Sequence, residues 1–340
     1  MPLLNRENVW EDGPERNLQR SESGVRNLGR NPDPYAAEAI LRRVVEREAP
    51  GKRTISAGEN KRGGLMQTCA NPQCRTGWMQ LWRNRSGPVF EGGWSCSAAC
   101  TEARLRVAVS RENKGRTAAK EPYRHRIPLG LLMLEKGWIT EIQLREAVTS
   151  QKQHGGRLGS WLVRQQGVSE ELVTRALALQ WSCPVLSTGA QDAERLAPLV
   201  PRLFVDAFGA VPLRLAAGKV LYLGFEDRLD PVLARAIERM TELRVECGVV
   251  ADADFGPSHE RALRTKYPPV ELVEAVSEET LARAMARTIE KVGPAEARLV
   301  RVHDFLWLRM LRKAEPGVGI FSGSGTVPGT IEDVIGTVGG

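Results

Sequence analysis

Histidine is scarce in this chain, with only His125, His154, His259 and His303 among 340 residues. So few imidazoles give no Ser-His-Asp or Cys-His arrangement that spacing can support. His303-Asp304 has the order of a metal phosphohydrolase dyad, but that chemistry needs further His and Asp on helices, and a hairpin turn is the better reading. A phosphate loop, G-x-x-x-x-G-K-[ST], is also missing. At Gly218-Lys219 the next residue is Val220, and Leu213 stands where the first glycine belongs, so this pair reads as a turn. No apolar run approaches the ~20 residues of a membrane helix. The opening stretch MPLLNRENVWEDGPER lacks the basic-then-apolar layout of a signal peptide. The expectation is a cytoplasmic, non-enzymatic protein with no membrane span.

What is present supports a folded core. The residues are 42% hydrophobic and 26% charged, and the length suffices for two or three domains. The net charge of +7 is concentrated: residues 101–126 hold eight Lys/Arg against three Glu, a local surplus of five. Such a stretch meets nucleic acid in some proteins and is a solvated linker face in most.

Cysteine is sparse and unevenly placed. Cys183 and Cys247 sit in apolar stretches and read as small core residues. The other four cluster: Cys69 and Cys74 are separated by four residues, Cys96 and Cys100 by three, with 21 between the pairs. Two thiolate pairs joined by such a loop can close a tetrahedral zinc shell. Asn71-Pro72 suits a metal knuckle, and Cys96 and Cys100 lie one helical turn apart, so their sulfurs share a face. The pattern resembles treble-clef or ribbon fingers; the alternative is four reduced thiols. With sulfur at all four positions the zinc is expected to be structural, holding a unit too small to fold unaided. Trp78, Trp82 and Trp94 are expected to pack around it.

The organisation follows from composition and periodicity. Residues 1–66 read as a disordered arm with one amphipathic helix at 34–49. Residues 67–110 form the zinc module and 111–125 a basic linker. A helical stretch covers 126–183, and 184–268 alternates strands and helices. A helix and a closing hairpin occupy 269–315, and 316–340 is a Gly-rich flexible tail. Within 184–268 the order strand, strand, helix, strand, helix suggests a small α/β sandwich, so the fold class is α+β. Asp230-Pro231 begins a helix of this region and Ser277 the helix of 269–315, each as an N-cap signal.

The helical stretch repeats itself. PLGLLMLEKGWITEIQLREAVTSQ (128–151) and RLGSWLVRQQGVSEELVTRALALQ (157–180) superpose with an offset of 29 residues. Each reads as a short helix, a turn, a capped longer helix and a final Gln, with Thr140 and Gln143 forming a capping box. Neither hairpin can bury its apolar face alone, so the two are expected to pair about an approximate two-fold axis. A site on that axis presents the same groups twice.

Residues 126–265 resemble the N-terminal domain of the ATPases that power type II secretion and type IV pilus assembly. The repeated motif, R-L-G-x-x-L-V-x-x-G followed by spaced Leu, Leu and Gln, carries the resemblance. In some members of that family the paired motif binds cyclic di-GMP, itself two-fold symmetric. The resemblance implies, for the second unit, a phosphate or guanine contact at Arg157, close backbone approach at Leu158 and Gly159, an apolar surface from Leu162, Val163, Val173 and Leu177, and a fixed turn or base at Gln180. The first-unit equivalents are Leu129, Gly130, Met133, Leu134, Gly137, Leu144, Val148 and Gln151. Two positions depart from the motif: Pro128 replaces the first Arg, and Gln166 stands where Gly belongs, one step before Gly167. A second reading takes both motifs as the packing code of the fold, with leucines as core and glycines as turns. The 75 residues given after 265 (340 − 265) are expected to be too few for an ATPase domain. The expected function is a regulator or adaptor that senses cyclic di-GMP and relays to a protein partner of a secretion, pilus or signalling system. The alternative is a zinc-dependent nucleic-acid-binding protein whose paired motif serves assembly.

Overall fold

A computed structural model of the chain describes residues 69–74, 88–118, 126–189, 192–312 and 331–339, all within one unit, Gly64–Gly340. The arm at 1–66 with its expected helix, and Trp78 and Trp82, lie outside the described residues.

The cysteine module contributes β1 (Val89–Phe90), β2 (Gly93–Trp94) and α1 (Ala98–Ala118). Helix α1 corrects the linker expected from 111: residues 111–118 continue it. Leu105, Ala108, Val109 and Glu112 follow helical spacing on one buried face. Glu112 makes that stripe hard to read, because a carboxylate completes it. Arg239 donates to both Glu112 oxygens at 2.7 and 3.0 Å, and the Arg301 N–H donates to one at 3.2 Å, so the buried charge is paired.

The repeat folds into α2 (Leu129–Glu135), α3 (Glu141–His154), α4 (Leu158–Gln166) and α5 (Glu170–Trp181). Thr140 caps α3 in a full capping box with Gln143, and Ser169 caps α5 through the Leu172 N–H. Gly137 and Gly167 both take left-handed φ, +68° and +64°, after the short helices. The Gln166 departure therefore lengthens α4 and moves the turn glycine one step, and the register returns at the Ser169 cap.

Next come α6 (Ala193–Leu196), α7 (Arg202–Ala207), β3 (Ala210–Ala216), β4 (Val220–Phe225), α8 (Pro231–Thr241), β5 (Arg244–Val249) and α9 (Asp252–Arg264). Strands β3 and β4 form the expected hairpin around Ala217-Gly218, and β5 adds parallel to β4. Asp230 caps α8 by accepting from the Val232 and Leu233 N–H groups, each at 3.0 Å. Helix α9 starts six residues before the expected SHERALRTKY stretch, which the internal Pro257 obscured.

The last elements are β6 (Val270–Ala275), α10 (Glu278–Val292), β7 (Glu296–Val302), β8 (Phe305–Leu311) and β9 (Ile331–Val338). They join the cysteine module in one sheet of order β2-β1-β7-β8-β9-β6. This corrects three expected boundaries. The cysteine module is no separate domain, because β1 runs parallel to β7 at Phe90 and Ala297. The β7–β8 hairpin does not close the fold. The expected flexible tail instead supplies β9, an interior strand with Ile331, Asp333, Val334 and Ile335 buried. At Gly336 a side chain would stand 2.5 Å from the Leu281 Cδ1, so the helix above the strand requires glycine there.

Helices cover both faces of this sheet. On one face Leu105 and Val109 of α1 and Leu281, Met285 and Ile289 of α10 pack on Leu299, Leu308 and Val334. On the other, Val300, Trp307 and Ile335 share a core with Phe204, Leu233 and Ile237. Double coverage explains why β8 is buried almost throughout.

Candidate functional site

The two repeat units meet about a pseudo-dyad. A Cβ on Gly159 would lie 2.7 Å from Val173 Cγ1 and 3.9 Å from Leu129 Cδ2. One on Gly130 would collide with Leu144, the equivalent of Val173, and lie 3.1 Å from Leu158 Cδ2, the equivalent of Leu129. Each glycine thus admits its own unit's long helix and the other unit's leading leucine. The terminal glutamines obey the same symmetry. Gln151 donates to the Gly156 carbonyl at 3.0 Å and Gln180 to the Ile127 carbonyl at 2.7 Å, and both acceptors immediately precede the other unit's motif.

A cavity of about 310 Å³ opens beside the second unit. Its walls include Leu129, Gln151, Arg157, Leu158, Gly159, Val163, Val173, Leu177 and Gln180 from the motif positions. The remaining motif positions lie elsewhere. Met133 and Leu162 are fully enclosed in the four-helix core, so the apolar surface expected from Leu162 is not open to a ligand. Leu134 and Leu144 pack against that core, Val148 is half-buried, Gly130 is filled by its neighbours, and Gly137 is an exposed turn. The packing reading and the ligand reading therefore divide the motif between them.

The opposite wall comes from residues that motif reasoning missed. Glu226, Asp227 and Arg228 follow β4, and Val250 and Asp252 follow β5. These are the carboxyl ends of two parallel strands, where α/β sheets place ligands, and that position was the signal available. Trp181 lies at the rim, its Nε1–H donating to the Asp227 carbonyl at 2.8 Å, with Arg126 stacked over the ring at 3.2 Å.

Arg157 spans the two walls. Its guanidinium lies 2.5 Å from Glu226 Oε1 and 2.9 Å from Asp252 Oδ1. Burial pushes the Glu226 carboxyl up to about 7, and a bond to Asp252 adds to this, while Arg157 opposes it. Asp252 is held low, first by that bond from Glu226 and then by Arg157. The arginine the motif offers to an anion is thus paired internally. First-unit Pro128 has no such group; it is the N-cap of α2.

The four cysteines converge. One sulfur from each of Cys69, Cys74, Cys96 and Cys100 lies within 4.8 Å of the others, with Cys74–Cys96 at 3.5 Å and Cys96–Cys100 at 3.6 Å. Sulfurs at ~2.3 Å around a tetrahedral zinc stand ~3.8 Å apart, so the set fits that ion. Asn71 Nδ2 donates to Cys100 Sγ at 3.3 Å, and Asn71 Oδ1 accepts from the Gln73 N–H, so the knuckle orients a sulfur ligand. Burial pushes the Cys69 thiol up to about 11, so a cation must displace its proton to bind. Arg104 ties the centre to the sheet through the Gly93 and Phe90 carbonyls, at 2.6 and 2.5 Å.

Among the described residues of the basic stretch, three arginines are paired. Arg106 meets Glu102 at 2.6 Å and Glu279 at 2.8 Å, and Arg111 meets both Glu91 oxygens at 2.6 and 2.9 Å. With Arg104 on backbone carbonyls, these three guanidiniums are engaged within the fold, Arg106 and Arg111 tying α1 to Glu279 and Glu91. Among the described residues no helix is long and apolar enough to cross a membrane.

No family model matches the chain. Over 115 residues it is 35% identical to the type IV pilus assembly ATPase PilB of Thermus thermophilus, covering 33% of this chain and 13% of that one. Over 144 residues it is 26% identical to the PilB of Myxococcus xanthus, covering 42% of this chain and 25% of that one. A solved structure of MshE with cdg matches 40% of this chain and 99% of its own at 26% identity and a TM-score of 0.34. The N-terminal domain of XpsE matches 39% and 92% at 20% identity and a TM-score of 0.30. The chain therefore spans a quarter or less of the curated relatives it matches and is similar to part of the type IV pilus assembly ATPases.

Proposed function

We propose that this chain is a non-catalytic, cytoplasmic regulator or adaptor whose paired-motif region binds cyclic di-GMP and relays the bound state to a protein partner of a pilus or secretion system. The observation that carries the reading is the cavity: Arg157, Leu158, Gly159, Val173, Leu177 and Gln180 of the second motif share one wall of about 310 Å³ of open space. The first unit reaches it through Leu129 and Gln151. The similarity to PilB supports a partner in pilus or secretion assembly.

The four-cysteine centre serves as a structural zinc site in this reading. Four sulfurs leave no coordination position for a substrate. The centre anchors β1 on β7, so zinc would organise the sheet that packs behind the α/β region.

Calorimetry with cyclic di-GMP tests the ligand. Saturable binding that Arg157→Ala weakens at least tenfold, with native circular dichroism retained, supports the reading. Absence of binding at millimolar ligand, by the wild type and by folded Glu226→Gln and Asp252→Asn variants alike, removes it.

A further inference from the structure

Arg157 is held from two sides before any ligand arrives. It sits at the start of α4, while Glu226 follows β4 and Asp252 opens α9, so its fork bridges the helical pair and the α/β region at 2.5 and 2.9 Å. The cavity lining carries four carboxylates, Glu170, Glu226, Asp227 and Asp252, against the guanidiniums of Arg157 and Arg228. Glu170 accepts from the Ala253 N–H at 2.5 Å, and Arg164 acts on Asp252 from α4. A phosphodiester entering this space meets a net negative lining, with its natural arginine already occupied.

Building on the assignment of the cavity to a cyclic dinucleotide, we propose that Glu226 and Asp252 are the residues that set ligand affinity here: they occupy Arg157 as an internal stand-in for phosphate, and the ligand enters by displacing them with uptake of a proton on Glu226. The proton has a defined place. The Glu226 carboxyl titrates at about 7 and bonds to Asp252, which stays ionised. Protonated Glu226 gives up its charge on Arg157 and keeps a hydrogen bond to Asp252, so the guanidinium is freed without stranding a buried anion. An incoming phosphate raises the Glu226 value further, because like charges disfavour each other's ionised forms. Below about 7 the carboxyl is already neutral and binding needs no proton from solvent; above it, each pH unit weakens a one-proton coupled binding about tenfold.

The test is calorimetry with cyclic di-GMP on the full chain from pH about 6 to about 8.5, in buffers of different ionisation enthalpy. The expected result is affinity falling about tenfold per unit above about 7, with close to one proton taken up per ligand. Glu226→Gln should bind more tightly and lose the pH dependence, and Asp252→Asn should bind more tightly too. Wild-type binding with flat pH dependence and no proton uptake overturns the latch and leaves the ligand assignment standing. Binding by Glu226→Gln or Asp252→Asn alone supports the latch. No binding by the wild type or by either folded variant removes the ligand and the latch together.

Discussion

Gln180 and Ile127 stand 53 residues apart in the chain, yet the Gln180 amide donates to the Ile127 carbonyl at 2.7 Å. The same bond recurs from Gln151 to Gly156, 29 residues earlier for the donor and 29 later for the acceptor. Each unit is therefore locked to the entry of the other. The repeat is one closed object rather than two turns of a rod, and its two motif starts lie side by side.

The dyad makes the two motif glycines equivalent in cost. Gly159→Val places methyls against Val173, a stiff β-branched neighbour 2.7 Å from the new Cβ, and Gly130→Val does the same against Leu144. Each should lose about 1–3 kcal/mol in urea unfolding. The double variant should lose less than the sum, since Leu129 and Leu158 border both sites. Full additivity, or a neutral single variant, contradicts the shared packing.

The sheet depends on a buried ion pair. Arg309 and Asp333 are 4% and 2% exposed. Arg309 donates to both Asp333 oxygens at 2.8 Å, Trp307 Nε1–H donates to one of them at 2.8 Å, and Arg309 also reaches the Leu199 carbonyl at 3.1 Å. Asp333→Ala leaves a guanidinium without its counter-ion and should cost about 3–5 kcal/mol. Denaturant unfolding measures it, and a loss near zero would mean that β9 is not held where the sheet places it.

Stability should fall as pH rises through neutrality. His303 Nε2 lies 2.6 Å from Asp230 Oδ2, at the turn where the β7–β8 hairpin meets the cap of α8. The bond to Asp230 raises the His303 pKa against the opposing effect of burial. Its contribution is complete below the ordinary imidazole value of about 6.5 and is lost as pH climbs through the raised one. Glu226 acts in the same sense: its raised carboxyl means that stability declines between its ordinary value of 4.5 and about 7. Melting temperature should drop from pH about 6 to 8, and His303→Gln should flatten the upper part of that slope. A rising profile contradicts both assignments.

The cysteine centre should hold one zinc per chain, measured by elemental analysis. Cys96→Ser or Cys100→Ser should lose the metal and lower the melting temperature, because β1 pairs with β7 and α1 packs on α10 from the same module. A metal-free protein with unchanged stability after chelation would leave four reduced thiols as the better account.

Local signals carried much of this structure. The Thr140 capping box, the Asp230-Pro231 helix start, the Ala217-Gly218 hairpin and the cysteine spacing all act within a few residues, so the sequence displays them. What stayed hidden depends on distant partners. Strand β9 is framed by glycines, and the Asp333 within it is paired by Arg309, 24 residues earlier on β8. Helix α1 hides its buried face because Glu112 relies on Arg239, 127 residues away. At the candidate site the motif named one wall of the cavity. Glu226 and Asp252 escaped notice because they approach Arg157 only once β4, β5 and α9 are assembled.

Hydrogen exchange with and without cyclic di-GMP reports where on the chain the ligand acts. Binding in the cavity should slow exchange at 156–160, at the end of α5 near Gln180, and in the loops at 226–228 and 250–252 that complete the cavity. Unchanged exchange across those segments at saturating ligand, or protection confined to the cysteine module, would contradict it.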